Sequence, residues 1–140
     1  MNKQSGFSLL EVMVVLVIIG MIMSIVAPNI MGQQEEAAID KAHLDIQQLE
    51  DAMSLYKLKN KSYPTTEQGL EALVNKTNIE PVPKRFPDGG FISELPDDPW
   101  GKPYQLISPG EAGKFDVFSV GPDGEAGTED DIGNWDPEKQ

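Results

Sequence analysis

Gly6-Phe7-Ser8-Leu9-Leu10-Glu11 opens directly onto an apolar run, residues 12–27, and this stretch decides the fold. Phe7 to Asn29 is 23 residues, which as an α-helix spans about 35 Å against roughly 30 Å of bilayer hydrocarbon. Such a segment reads as a membrane span. Glu11 has no place in a plain anchor, because an ionised carboxylate within lipid costs at least ~2.5–3.5 kcal/mol. No cation lies in the run to pair with it. Cutting the chain between Gly6 and Phe7 creates one, an α-amino group four residues before the carboxylate. A secretory signal peptide fits less well: Glu11 interrupts the apolar region, and no small-x-small cleavage pattern follows that region before Pro28.

The hexapeptide resembles the processing site of the type IV pilin and type II secretion pseudopilin superfamily. The resemblance implies that a prepilin peptidase cuts after Gly6 and methylates the new amino-terminal Phe7. It also implies that Glu11 neutralises a terminal amine during filament assembly. Taken alone, the motif does not separate pseudopilins from pilins.

The 140 residues allow one modest globular domain plus an elongated helix. The formal charge is −12, and loss of Lys3 with the leader takes the side-chain balance to −13. A chain so acidic repels phosphates, and the sequence shows no basic patch to overcome that, so no nucleic-acid partner is expected. Residues 94–140 hold 12 Asp or Glu against three Lys. Cysteine is absent, which removes disulfide stapling and thiol chemistry. Lys3 before the span favours a cytoplasmic leader, with the C-terminal part on the other side of the membrane.

Beyond Asn29 a helical pattern resumes. Ile39, Ala42, Ile46, Leu49, Met53 and Tyr56 recur at spacings of three and four, while Asp40, Lys41, Asp45, Glu50, Asp51, Lys57 and Lys59 take other positions. The spacing predicts one helix from Phe7 to about Leu58, bent or locally opened near Pro28, with its apolar stripe seated on a C-terminal sheet. A coiled coil is a poorer use of the stripe, which lasts only about three heptads and includes small residues. His43 has no second ligand beside it and reads as an ordinary boundary residue.

Asn60-Lys61-Ser62-Tyr63-Pro64 ends the stem. Thr65 and Gln68 have capping-box spacing before a short helix containing Leu70, Ala72, Leu73 and Val74. Residues 75–90 are rich in Pro, Gly and charge and read as a surface connection, with Ile79, Val82 and Phe86 available to hold it down. Tyr104 to Ile107 and Phe115 to Val120 read as strands separated by Pro109-Gly110 and Gly113. A two-stranded ribbon is marginal alone, so its apolar face is expected to pack on the stem.

Tyr63-Pro64-Thr65-Thr66-Glu67-Gln68-Gly69-Leu70, Asp98-Pro99-Trp100-Gly101 and Phe118-Ser119-Val120-Gly121-Pro122-Asp123-Gly124 resemble the major pseudopilin family of type II secretion systems. With the N-terminal motif, the resemblance spans almost the whole chain. Many type IV pilins close a C-terminal loop with cysteines, and this chain has none.

Residues 121–133 contain five acids and four glycines. Five close carboxylates oppose closure of a loop unless they face water or gather round a cation, and Ca²⁺ collects about six to eight oxygens. The residues alone leave a calcium site and a plain acidic surface loop both open. The resemblance implies calcium, with Asp123, Asp130 and Asp131 as side-chain ligands, backbone carbonyls near Ser119 and in the loop, and Glu125 and Glu129 left to solvent or outside the ligand set. Zinc lacks its Cys set, with His43 remote, and magnesium suits a flexible carbonyl-rich cage less well. Catalysis by paired acids is disfavoured because no cleft or further catalytic constellation accompanies them, and Ser119 has no histidine base near it.

The fold expected is therefore α+β and type IV pilin-like: a long N-terminal helix on a small antiparallel sheet with a calcium-binding loop. Its parts are a cleaved leader (1–6), a membrane and filament-core helix (7–29), and a periplasmic region (30–140). The last comprises a stem (30–58), a connection (59–94), and the sheet with its acidic loop (95–140). The resemblance implies a non-catalytic major subunit of a pseudopilus, inserted in the bacterial inner membrane and polymerised in the periplasm. Helices would pack in the filament centre with the C-terminal domains outward. Its partners would be copies of itself, minor pseudopilins, the inner-membrane assembly platform, prepilin peptidase, membrane lipid before assembly, and contacts with the secretin and exported proteins. The alternatives are a type IV or competence pilin, serving adhesion, motility or DNA uptake, and a non-polymerising membrane-tethered calcium-binding module.

Overall fold

The computed structural model describes residues 7–135, and of residues 27–31 only the backbone. The leader expected at 1–6, Gly6 included, lies outside the described residues. The chain divides into two compact units, Met1–Ala37 and Ala38–Gln140.

One helix, α1 (Leu9–Asn60), belongs to both units. It stays helical through Pro28, so of the bend or local opening expected there the opening is absent. Proline removes a single amide donor, and the flanking i→i−4 bonds carry the helix past that one loss. Ser8 starts α1: its Oγ accepts the Leu10 amide at 3.3 Å and its carbonyl accepts the Val12 amide at 3.2 Å. Lys61, at φ 69°, ends it.

In the second unit the stripe read from spacing is the core. Ala42, Ile46, Leu49, Met53 and Tyr56 are buried and Ile39 packs at their edge. They meet Leu70, Leu73, Phe91, Tyr104, Leu106, Phe115, Val117 and Ile132. Each large side chain buried there contributes about 1.5–3 kcal/mol. Tyr56 stacks tilted on Phe91 at 5.0 Å, and Tyr63 on Phe115 at 4.7 Å.

Thr65 and Gln68 form the reciprocal pair expected of them: Gln68 Oε1 accepts the Thr65 amide at 3.0 Å and Thr65 Oγ1 accepts the Gln68 amide at 3.2 Å. They close a turn rather than a helix. Gly69 at φ 66° breaks the helical path, so α2 (Glu71–Val74) is a single turn. In the connection Phe86 packs against the core, edge-on to Phe91 at 5.4 Å, while the side chains of Ile79 and Val82 stay exposed. Gln68 does the holding there, donating from Nε2 to the carbonyls of Ile79 (2.7 Å) and Pro81 (3.0 Å).

The sheet has three antiparallel strands in the order β1 (Gln105–Ile107), β2 (Asp116–Ser119), β3 (Ile132–Gly133). Leu106 pairs with Val117 and Ser119 with Ile132. All four β2 residues are buried, so burial does not alternate along this strand. Val117 joins the core, whereas Phe118 stacks on Trp135 at 5.4 Å. Asp116 turns its carboxylate onto the preceding turn, accepting the amides of Glu111, Ala112 and Gly113 at 2.6–3.1 Å. The third strand, β3, was not expected. Two residues show no periodicity, and these stand beside the most acidic stretch of the chain.

Candidate functional site

Two places carry the residues singled out by sequence, one in each unit. In the first, every residue from Phe7 to Val26 is exposed. The apolar window Leu9–Val26, 18 residues, is long enough to cross a membrane, and no part of it is buried in the fold. Water does not tolerate a continuous apolar surface of that extent, so lipid or other helices must cover it. Glu11 lies in the first turn of α1. There the unsatisfied amides and aligned peptide dipoles favour a negative charge, and Ser8-Leu9-Leu10-Glu11 has the spacing of a capping box. Glu11 is one turn from Phe7, and both line a shallow apolar groove with Val12, Val15 and Leu16. The helix start therefore presents a carboxylate in an apolar setting, beside the residue that cleavage after Gly6 would leave as the amino terminus.

In the second unit, a buried polar chain positions the acidic loop. Asp98 Oδ1 accepts the amides of Trp100 (3.0 Å) and Lys102 (2.7 Å), folding the Asp-Pro-Trp-Gly turn. Its Oδ2 accepts the Ser119 hydroxyl at 2.5 Å, and Ser119 Oγ in turn accepts the Gly121 amide at 3.0 Å. Gly121 stands at φ 65°, and a Cβ there would sit 2.2 Å from the Asp130 carbonyl oxygen, so only glycine lets the two ends of the loop meet. On the far side Asn134 brackets Val117: its amide donates to the Val117 carbonyl (3.1 Å) and its Oδ1 accepts the Val117 amide (3.2 Å). A parallel link joins the stem to the same turn, where Tyr104 donates its hydroxyl to Asp45 at 2.9 Å and Lys41 pairs with Asp45 at 2.5 Å. Burial first, and then the Asp45 carboxylate, push the Tyr104 hydroxyl pKa well above the usual tyrosine range.

Sequence reading missed Asp45, Asn134 and the Ser119 contact of Asp98. The signal for Asp98 was present, since an aspartate before Pro-x-Gly commonly folds a turn by accepting backbone amides. Its second bond, to Ser119, depends on a tertiary contact that spacing does not reveal. Asp98→Ala is expected to destabilise the unit by about 3 kcal/mol, because it strands a buried hydroxyl and two amides without their acceptor. Asp98→Asn, which keeps an acceptor oxygen, is expected to lose about half as much. Urea unfolding of the two variants beside the wild type measures both.

Within the loop, Asp123 and Asp130 are exposed and Asp131 is half-buried. Asp123 Oδ1 accepts the Glu125 amide at 2.9 Å, and Asp131 Oδ2 accepts the Gly127 amide at 2.7 Å. Asp131 Oδ1 is buried with no hydrogen-bond partner among the described residues. The loop is thus folded on its own acids, yet Asp123, Asp130 and Asp131 are not gathered into a three-carboxylate set that could hold a metal.

Residues 29–135 match the family described as Type II secretion system (T2SS), protein G, and residues 1–27 match the prokaryotic N-terminal methylation motif. The chain belongs to the type II secretion system protein G family, the major pseudopilins. It is similar to the type II secretion system core protein G of Aeromonas hydrophila, 61% identical over 134 residues that cover 96% of this chain and 94% of the relative. The core protein G of Vibrio cholerae is 54% identical over 138 residues, covering 96% and 94%. Among solved structures, the crystal structure of the major pseudopilin from the type 2 secretion system of enterohaemorrhagic Escherichia coli superposes with a TM-score of 0.72 at 50% identity. It covers 75% of this chain and 88% of that one.

This pseudopilin is a structural subunit of the pseudopilus and not an enzyme. One N-terminal span and a C-terminal soluble domain make it a single-pass inner-membrane protein. The family match over the soluble domain separates it from the adhesive and competence pilins, a distinction that Phe7 and Glu11 could not make.

Proposed function

We propose that this pseudopilin polymerises by pairing the Glu11 carboxylate of one copy with the Phe7 amine of the next, after cleavage at Gly6 by a prepilin peptidase. The growing filament, primed by minor pseudopilins and fed by the inner-membrane assembly platform, moves folded proteins through the outer-membrane secretin. One observation carries the reading: an apolar helix start, wholly exposed, bears a single acid in its first turn. Leaving lipid is favoured only where that acid meets a counter-charge, and the processed terminus of a second copy supplies it. Pairing then selects the axial register between neighbours as well as the bound state.

Calcium belongs to the same reading. The donor set of the acidic loop consists of hard carboxylate and carbonyl oxygens, and the buried Oδ1 of Asp131, which has no hydrogen-bond partner among the described residues, is an acceptor suited to a cation. Asp131 would hold the ion first, and Asp123 and Asp130, which are not gathered around it, would turn toward the bound ion to complete the side-chain ligands. When bound, the ion supplies a cross-link across the loop and offsets the repulsion among its five acids.

Deleting the gene tests the secretion reading. Export of folded proteins to the medium is expected to stop while surface-pilus activity continues, and complementation is expected to restore export. Lost pilus activity with intact export would overturn it.

A further inference from the structure

In a chain of net charge −12, whose sequence showed no basic patch, the fold gathers four cations from two distant segments in one groove. Lys59 and Lys61 come from the end of α1, and Lys84 and Arg85 from the connection. All four are exposed, and none has an ion-pair partner among the described residues. Exposed Leu58 and Val82 line the same groove. Lysines in a last helical turn are ordinary, since they complement the negative end of the helix dipole. Lys57 and Lys59 meet that need, Lys57 also lying 4.6 Å from the Tyr63 ring centre. Lys84 and Arg85 are not explained that way. The Asn60 side chain brings them there by clamping the connection twice: Nδ2 donates to the Arg85 carbonyl at 3.1 Å, and Oδ1 accepts the Arg85 amide at 2.9 Å. The fold therefore concentrates positive charge on a preset wall where no ion pair among the described residues neutralises it.

We propose that this groove receives the acidic loop of a second copy, with Glu125 and Glu129 as the carboxylates that Lys59, Lys61, Lys84 and Arg85 meet. The inference rests on the reading of the chain as a pseudopilus subunit. In a polymer of this chain, a copy is always adjacent. Groove and loop are different surfaces, so their contact is heterologous. Repeated, such a contact propagates along an open filament instead of closing a dimer. Glu125 and Glu129 are exposed, carry no ion pair among the described residues, and stand outside the three aspartates assigned to calcium. The Arg85 guanidinium offers the planar donor fork suited to a carboxylate. A nucleic-acid partner is opposed by the charge of the rest of the chain.

The test uses the full-length, processed chain under assembly conditions. Because the natural chain has no cysteine, Lys84→Cys with Glu129→Cys introduces the only thiols. A cross-link between copies, found in filaments and absent from dispersed protein, is the expected result. Reversing the groove (Lys84→Glu with Arg85→Glu) is expected to lower filament yield about tenfold. Adding Glu125→Lys and Glu129→Lys to the same chain is expected to restore it, with unchanged melting temperatures showing that each variant folds. Filaments that form without the cross-link, a double reversal no better than the single one, or a cross-link to another protein would each overturn the proposal. Failure of the wild-type chain to polymerise would instead overturn the subunit reading, and the groove with it.

Discussion

Glu11→Ala in the full-length, processed chain is expected to cut filament yield by roughly a hundredfold and to leave the soluble unit unchanged. The size follows from the ~2.5–3.5 kcal/mol that a carboxylate costs in lipid, at about 1.4 kcal/mol per factor of ten. Wild-type Glu11 makes the dispersed subunit uncomfortable in the bilayer and the paired one comfortable in the filament. Alanine abolishes that difference from both sides, so the variant inserts at least as well and assembles far less. Glu11 also occupies the capping-box position behind Ser8, which gives it a second possible role, in starting the helix. Glu11→Gln separates the two. Glutamine serves a capping box as well as glutamate does, but it cannot neutralise an amine. Both variants should therefore fail alike, whereas recovery in the glutamine variant would assign the effect to helix capping. Sedimented filament and chemical cross-linking give the yield. Trp100 and Trp135 both lie in the second unit, so tryptophan fluorescence on melting reports that unit alone. Wild-type assembly by a fully processed alanine variant would refute the pairing.

The parts of the fold legible in sequence were those written by local period. The stripe from Ile39 to Tyr56 repeats at three and four, and the structure buries it in that order. Thr65 and Gln68 were legible as a pair, but the short helix expected with them is cut to the single turn of α2 behind Gly69. Leu106 and Val117 fell within strands because apolar runs between Pro and Gly turns leave few other readings. The unread parts depend on partners remote in sequence. Ile132 and Gly133 become a strand only because Ser119 and Phe118 lie alongside. Asp98 folds its own turn locally, but its second bond forms only because Ser119, 21 residues later, is delivered to it. Asn60 reads as a helix stop, and its clamp on Arg85 across 25 residues shows only in three dimensions. At the candidate sites, residue types were legible and convergence was not. Glu11 could be placed one turn from Phe7 from helical period alone, whereas the disposition of three aspartates in a glycine-rich loop depends on torsions that sequence leaves free.

Calcium should stabilise the soluble unit by an amount that depends on Asp131, and its removal should loosen the loop first. At about a hundredfold excess of ion over its dissociation constant, binding to the native state alone adds ~2.7 kcal/mol. For a domain of this size each kcal/mol moves the melting temperature by about 4–8 °C, which places the expected rise at roughly 10–20 °C. Asp131→Asn sharpens the test, because its effect should change sign with the ion. Without calcium, the native carboxylate holds a buried oxygen that no donor among the described residues satisfies, and asparagine removes that charge while keeping an acceptor for the Gly127 amide. The decalcified variant should therefore melt at or slightly above the decalcified wild type. With calcium the order reverses, since the variant has lost a charged ligand and most of the rise with it. Proteolysis should follow the same pattern, with cuts at 121–131 suppressed by calcium in the wild type and persisting in the variant. Magnesium should reproduce little of the shift, because its small octahedral shell fits a flexible loop poorly. A thoroughly decalcified wild type indifferent to titration would show the loop to be a plain acidic turn, and an equal calcium response in both proteins would remove Asp131 from the ligand set.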